Sequence, residues 1–317
     1  MSTSRKIIRL MSGTLLIIVI LVATFSLLPR RTPTWGATES EVKRTLPGDE
    51  LIERVPGDST HAVTINAPPE EVWPWIAQIG DDRGGFYSYT FIENPAQELM
   101  MGGEPVYHNA NRILPQFQDP QPGEGMIVDS LQVYDVEPGE WLLAAQRSKA
   151  AELDWVWLWH LERVGMNQTR LLVRSAMRLF PEGGNPVLSA VADLGAFVME
   201  WRMIEGIKLR AEGRTEPAWI EIVEILLWLS ALGAGLGAAV LFLTRPGWQA
   251  PLLLGLAALF TLIWFTFWLP SVWLRILFAL ALFALLWWVA RWVPRAVAAP
   301  SAEQTHTRRT RTVQARG

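Results

Sequence analysis

The chain of 317 residues contains no cysteine. That removes disulfides, a thiolate nucleophile and thiolate metal sites, and it leaves the compartment open. Histidine is nearly as scarce. His61, His108, His160 and His306 are scattered, without HExxH spacing or a cluster of His, Asp and Glu around them, so no metal centre is expected. A G-x-S-x-G elbow is missing too, which removes the commonest serine-hydrolase signature. The glycine pair in "DDRGGFYSY" lies after a helix-like segment and lacks a following Gly-Lys-Ser/Thr, which excludes a P-loop. A net charge of -3 supplies no basic footprint, so nucleic acid is excluded as a partner. There is no internal repeat.

What the chain has in quantity is apolar sequence: 50% hydrophobic residues and 17 tryptophans. Ile7–Leu28 forms a run close to the ~20 residues that cross a bilayer core. Its basic start (Arg5, Lys6, Arg9) also suits a signal peptide, but the run ends in "LLPRR" without a small-x-small cleavage site, so an uncleaved anchor is expected. Three further runs, Ile225–Leu243, Ala250–Leu269 and Val272–Val293, have spanning length, with Trp219, Trp248, Trp273 and Trp292 near their ends. Four spans put both termini on one side. Both termini are basic, which places them in the cytoplasm and the intervening domain outside, although Arg30, Arg31, Lys208, Arg210 and Arg214 pull the other way. The expected layout is a basic end and anchor over 1–34, a water-soluble domain over 35–214, three membrane helices over 215–294 and a basic, disordered tail over 295–317.

Within the soluble part, "HAVTI" alternates like a strand. "NAPPEEVWPWIAQI" then starts a helix, with proline in its first turn and acids at its positive end. "GMIVDSLQVYDVEPGEWLLAAQ" breaks at "DS" and "EPGE" into three strands, and "DWVWLWHLE" with "QTRLLVRSAMRLF" makes a hairpin. Val187, Val191, Leu194, Val198 and Trp201 then repeat at helical spacing. Strand, helix, irregular segment, consecutive strands and a long last helix describe an α+β domain whose curved antiparallel sheet wraps one helix.

This order, with "VTINAPPEEVWPWIAQIG", "DRGGFYSY", "TRLLVRSAMR" and "FVMEWRMIEGIKLRAE", resembles the START-like helix-grip superfamily (SRPBCC), in particular its membrane-anchored bacterial branch. The resemblance covers roughly Trp35 to Arg214. It implies a helix-grip fold set between one N-terminal and three C-terminal membrane helices. It also implies a cavity between sheet and last helix for a hydrophobic small molecule or lipid, with no cofactor and no single reaction.

On that reading "RGGFYSY" runs along the cavity mouth. Gly84 and Gly85 permit a tight turn that presents Phe86, Tyr87 and Tyr89, and Arg83 is the polar group at the rim. The bland alternative is that these aromatics plug one end of the sheet. His108 and Arg112 in "YHNANR", and Glu93 before it, are the polar candidates near the mouth and the acid or base candidates of a cyclase- or dehydrase-like alternative. Trp155, Trp157 and Trp159 give one strand an aromatic face, from which Trp157 is expected to meet the ligand. Val156 and Leu158 make its other face apolar as well, so either the membrane or the linker covers it. Arg170, Arg174 and Arg178 share a face of the next strand, as a solvated row or as contacts to lipid headgroups. A third reading of the domain is an interaction module whose core is filled by its own side chains. Oligomeric state is not legible.

Overall fold

A computed structural model describes residues 32–53, 58–92, 94–95, 109–127, 131–147, 153–177, 186–215, 217, 219–245, 247–268 and 271–292, with backbone only over 153–154 and 186–192. The N-terminal apolar run and the basic tail lie outside these residues. The chain divides into two compact units, whose described residues run over 32–225 and 226–292.

The first unit is α+β. Strands β1 (Ser59–Ile65), β2 (Gly125–Ile127), β3 (Leu131–Glu137), β4 (Trp141–Arg147), β5 (Leu153–Arg163) and β6 (Thr169–Met177) form one antiparallel sheet in the order β1-β6-β5-β4-β3-β2. The last five follow one another as a meander, with "EPGE" between β3 and β4 and "RVGMN" between β5 and β6 as turns, and β6 then returns to pair with β1, His61 opposite Val173; the expected break at "DS" lies outside the described residues. Short helix α1 (Glu39–Lys43) precedes β1, α2 (Pro69–Ala77) follows it, and long α3 (Pro186–Ala211) follows β6.

The period-2 alternation of the strands sends side chains to two apolar faces. Trp155, Trp157, Trp159 and Val173 face a core closed by Val72 and Ile76 of α2 and by Ile204 and Ile207 of α3. Val156, Leu158 and Leu172 face the opposite way, and there the linker packs on them: Leu46 is buried on this face, with Ala37, Leu51 and Ile52 packed around it.

The linker is strapped down by the arginine row of β6. Arg170 holds the Glu41 carboxylate through two bonds, Nε to Oε1 at 2.8 Å and Nη2 to Oε2 at 2.9 Å. Arg174, 4% exposed, donates to the carbonyls of Glu41 (2.8 Å), Val42 (3.2 Å) and Arg44 (3.0 Å), to Asp49 Oδ2 (2.5 Å) and to Thr60 Oγ1 (3.1 Å). The linker takes up both guanidinium groups, Arg170 staying part-exposed, and Arg178 lies outside the described residues. Glu41 also closes a capping box on α1, its Oε2 accepting from the Thr38 N–H at 2.7 Å. At Gly36 (φ 71°) a Cβ would stand 2.0 Å from the Ala62 carbonyl oxygen, so only glycine lets the strap run this close to β1.

The Arg170 bonds lead the causes that bring Glu41 from an ordinary value of 4.5 down to about 2; burial opposes them and the Thr38 bonds add to them. A carboxylate depressed in the folded state stabilises above its unfolded value and loses that contribution as pH falls through its folded one. The strap is therefore expected to loosen between about pH 4.5 and pH 2. Protease sensitivity of residues 36–52 should rise over that window in the native protein and should rise less in Glu41→Gln.

Helix α4 (Trp219–Thr244), whose first residues belong to the first unit, and α5 (Gln249–Phe267) and α6 (Val272–Trp292) of the second are long and apolar enough to cross a membrane. Helix α4 starts before its hydrophobic run, taking in Glu221 and Glu224, since acids are favourable at a helix N-terminus. Within the second unit Ala231, Ala234 and Ala238 pack with Leu254, Ala258 and Leu282, small residues allowing close approach.

Candidate functional site

The loop after α2 is a closed knot of backbone bonds. The Gly80 N–H donates to the Gly85 carbonyl at 3.3 Å and Gly85 returns the bond at 2.9 Å, while Gly84 donates to the Gln78 carbonyl at 2.7 Å. Gly85 needs its glycine for a φ of 77°, and a Cβ on Gly84 would stand 2.8 Å from the Gln78 oxygen. The turn chemistry expected of this pair is present, but it delivers the aromatics inward.

Phe86 is buried, its ring stacked on Trp157 at 6.2 Å, and Trp157 continues the ladder to Trp155 (5.1 Å) and Trp159 (4.3 Å). Tyr87 is buried; its hydroxyl donates to the Trp75 carbonyl (3.0 Å) and its N–H to Asn109 Oδ1 (2.7 Å). Burial holds the phenol well above its ordinary pKa. Tyr89 is buried, with the Arg202 guanidinium 5.6 Å from its ring. Arg83 is not a free group at a rim. Its side chain is 6% exposed, paired with Glu124 (2.8 Å), donating to the Ala77 carbonyl (2.9 Å) and lying 4.9 Å over Phe117, because the glycine turn folds it back onto the irregular segment. Arg112 is exposed and apart from these residues, its carbonyl accepting from Gln78 Nε2 at 3.2 Å. Glu93 and His108 lie outside the described residues. The structure thus brings Phe86 and Trp157 together, sets Tyr87 beside them and leaves Arg112 outside.

Two residues organise this region: Asn109, which the sequence places in the polar stretch "YHNANR" near the mouth, and Gln78, which carries no such signal. Gln78, fully buried, accepts from Leu114 N–H (2.8 Å) and ties residues 112–118 to α2. Asn109 accepts from Tyr87, donates to the Ser88 carbonyl (2.9 Å) and gives both its backbone N–H (3.1 Å) and its side-chain amide (3.0 Å) to Glu221 Oε1 at the start of α4. Arg202 pairs with Glu224 one turn further at 3.5 Å. Polar residues in a loop carry no periodic signal, so only the folded partners mark them.

An open cleft of about 440 Å³ lies between α2 and the end of α3. Pro74, Trp75 and Ile113 supply apolar wall, and Glu71, Arg210 and Glu212 supply charge. Arg210 lies 4.6 Å over the Tyr87 ring and donates to the carbonyls of Ala110 (2.8 Å) and Gly206 (3.1 Å). Burial opposes ionisation of Glu212, but the Asn66 N–H and the Arg214 side chain hold its carboxyl below the ordinary value. Among the described residues no group of His, Asp and Glu could hold a metal ion.

No family model matches the chain, and no curated protein matches it. Among solved structures it is similar to protein MLL2253 from Mesorhizobium loti, at 17% identity over 50% of this chain and 99% of that one, TM-score 0.27. It is also similar to Bacillus halodurans protein BH1534, at 15% identity over 52% and 100% of the two chains, TM-score 0.28. A third is the protein encoded by gene BPP1335 from Bordetella parapertussis, at 17% identity over 53% and 82%, TM-score 0.27. These overlaps are too loose to carry an argument about function.

Proposed function

We propose that the protein is a membrane-tethered helix-grip domain that binds an apolar or amphiphilic small molecule, lipid included, in the cleft between α2 and the end of α3. One observation carries this reading: the cleft offers about 440 Å³ beside Trp75 and Ile113, within the ~300–1,000 Å³ of small-molecule sites, whereas Phe86 and the tryptophan ladder occupy the space between sheet and helix. Ligand binding needs space, an apolar wall and a few polar groups to orient the molecule. Here Glu71, Arg210 and Glu212 are those groups.

A second reading keeps the ligand inside the grip, and a separate observation favours it. The indole N–H of Trp155 reaches Ser175 Oγ at 3.1 Å, but those of Trp157 and Trp159 are buried without an acceptor among the described residues. Each such donor costs about 1–3 kcal/mol, and a carbonyl or ether oxygen of an apolar guest would satisfy it.

Native mass spectrometry of the full chain, with extraction of co-purifying molecules, tests both. The cleft reading expects a bound species that Ile113→Arg removes while the melting temperature holds, since Ile113 is 37% exposed. Loss of the species in Trp157→Phe but not in Ile113→Arg transfers the site to the interior. Absence of any bound species overturns both readings and leaves the filled-core interaction module.

A further inference from the structure

Tyr87 alone among the described non-glycine residues has a positive φ, 58°. For a bulky aromatic residue that conformation is a true outlier. Such strain persists only where the surroundings over-determine it, and it gathers at clamps and switches. Four contacts hold Tyr87 there. Asn109 takes its N–H, the Trp75 carbonyl takes its hydroxyl, Arg210 covers its ring, and Gly206 leaves room for its backbone, where a Cβ would stand 2.4 Å from the Tyr87 oxygen. Three of the four belong to two neighbourhoods. Trp75 and Arg210 are walls of the cleft, and Asn109 is the residue that grips Glu221 in the first turn of α4. Arg210 also bonds the carbonyl of Ala110, one residue from Asn109.

We propose that Tyr87 is a strained hinge through which occupancy of the cleft is passed to the start of the first apolar helix. The physiological meaning rests on the cleft being a ligand site. A molecule packed against Trp75 and Arg210 restricts the Arg210 side chain to its place over Tyr87. That keeps Ala110 and Asn109 where Asn109 can hold Glu221. With the cleft empty, Arg210 samples other rotamers and the Asn109–Glu221 latch opens more often. The coupling is reciprocal, so breaking the latch lowers affinity in the cleft.

The missing cysteine supplies the test. Ile113→Cys places a single thiol on the exposed wall of the cleft, and N-cyclohexylmaleimide attached there fills it without knowledge of the natural ligand. Hydrogen exchange is then read at the amides of Val223, Glu224 and Ile225, using the full chain in detergent micelles. Labelling is expected to slow their exchange by about five-fold or more, the lower end of ordinary coupling; the effect should shrink in Asn109→Ala, which keeps only the backbone bond to Glu221, and vanish in Glu221→Ala. Glu221→Ala, which removes the acceptor of both Asn109 bonds, serves as the uncoupling variant should Asn109→Ala not fold. Unchanged or faster exchange on labelling, or a slowing that survives loss of the latch, overturns the hinge. Because the probe is tethered, a coupling signal without any co-purifying molecule would remove the binding function and keep the hinge. A bound natural molecule without the signal would do the reverse.

Discussion

Arg174→Ala is expected to destabilise the sheet domain by about 3–5 kcal/mol, the scale of removing one partner of a buried ion pair. The size follows from how much the side chain holds. Its removal strands Asp49, 16% exposed, and three linker carbonyls at once, and it unfastens the strap from the apolar face around Leu158 and Leu172. Urea unfolding of the full chain in micelles, followed by tryptophan emission, measures the loss. Limited proteolysis should cut residues 36–52 first. Arg174→Met, which keeps most of the volume, should retain more stability than alanine. Equal stability of Arg174→Ala and the native protein would show that Arg170 and the apolar contacts hold the strap without it.

Tyr87→Ala carries the second large effect, a loss of about 3–5 kcal/mol as for other buried aromatics cut to alanine. The ring fills space between Trp75 and Arg210, with Trp75 meeting it edge-on at 6.0 Å. Tyr87→Phe keeps the ring and should cost only about 1–3 kcal/mol, since it leaves the Trp75 carbonyl without its donor. Tyr87→Gly separates strain from packing: it relieves the positive φ, so it should fall less far below Tyr87→Ala than glycine's greater chain entropy alone would dictate. Measured unfolding free energies for the three variants fix the ranking. If Tyr87→Ala left stability unchanged and removed only a bound molecule, the residue would be a ligand contact rather than part of the core.

The elements written in local periodicity were legible in the sequence. "EPGE" separates β3 from β4 as expected, the hairpin of β5 and β6 surrounds "RVGMN", and the spacing from Val187 to Trp201 lies in α3. Over the described residues the three apolar runs fall on α4, α5 and α6, the first extended by six residues because hydropathy penalises Glu221 and Glu224 while the helix dipole favours them. Partners far apart in sequence were not legible. The arginines of β6 read as a solvated row because nothing near residue 170 announces Glu41, 129 residues away. In the loop, "GGFYSY" shows that a turn presents aromatics, but residue type does not say whether they point to a guest or into the core. Burial decides that, and burial is a property of the packed whole.

Thr60 and Arg174, which share a hydrogen bond, are separated by 114 residues, so β1 and the strap are synthesised long before the strand that receives them. At about 5–20 residues per second, the ribosome leaves the apolar strap and the edge of β1 uncovered for on the order of ten seconds. During that interval the nascent chain presents an unpaired strand edge and the Leu46 face to its surroundings. Premature release of a chain truncated before residue 169 should therefore yield an aggregating species, and a holdase chaperone that shields residues 36–65 should raise the yield of folded protein more than one acting on the completed sheet.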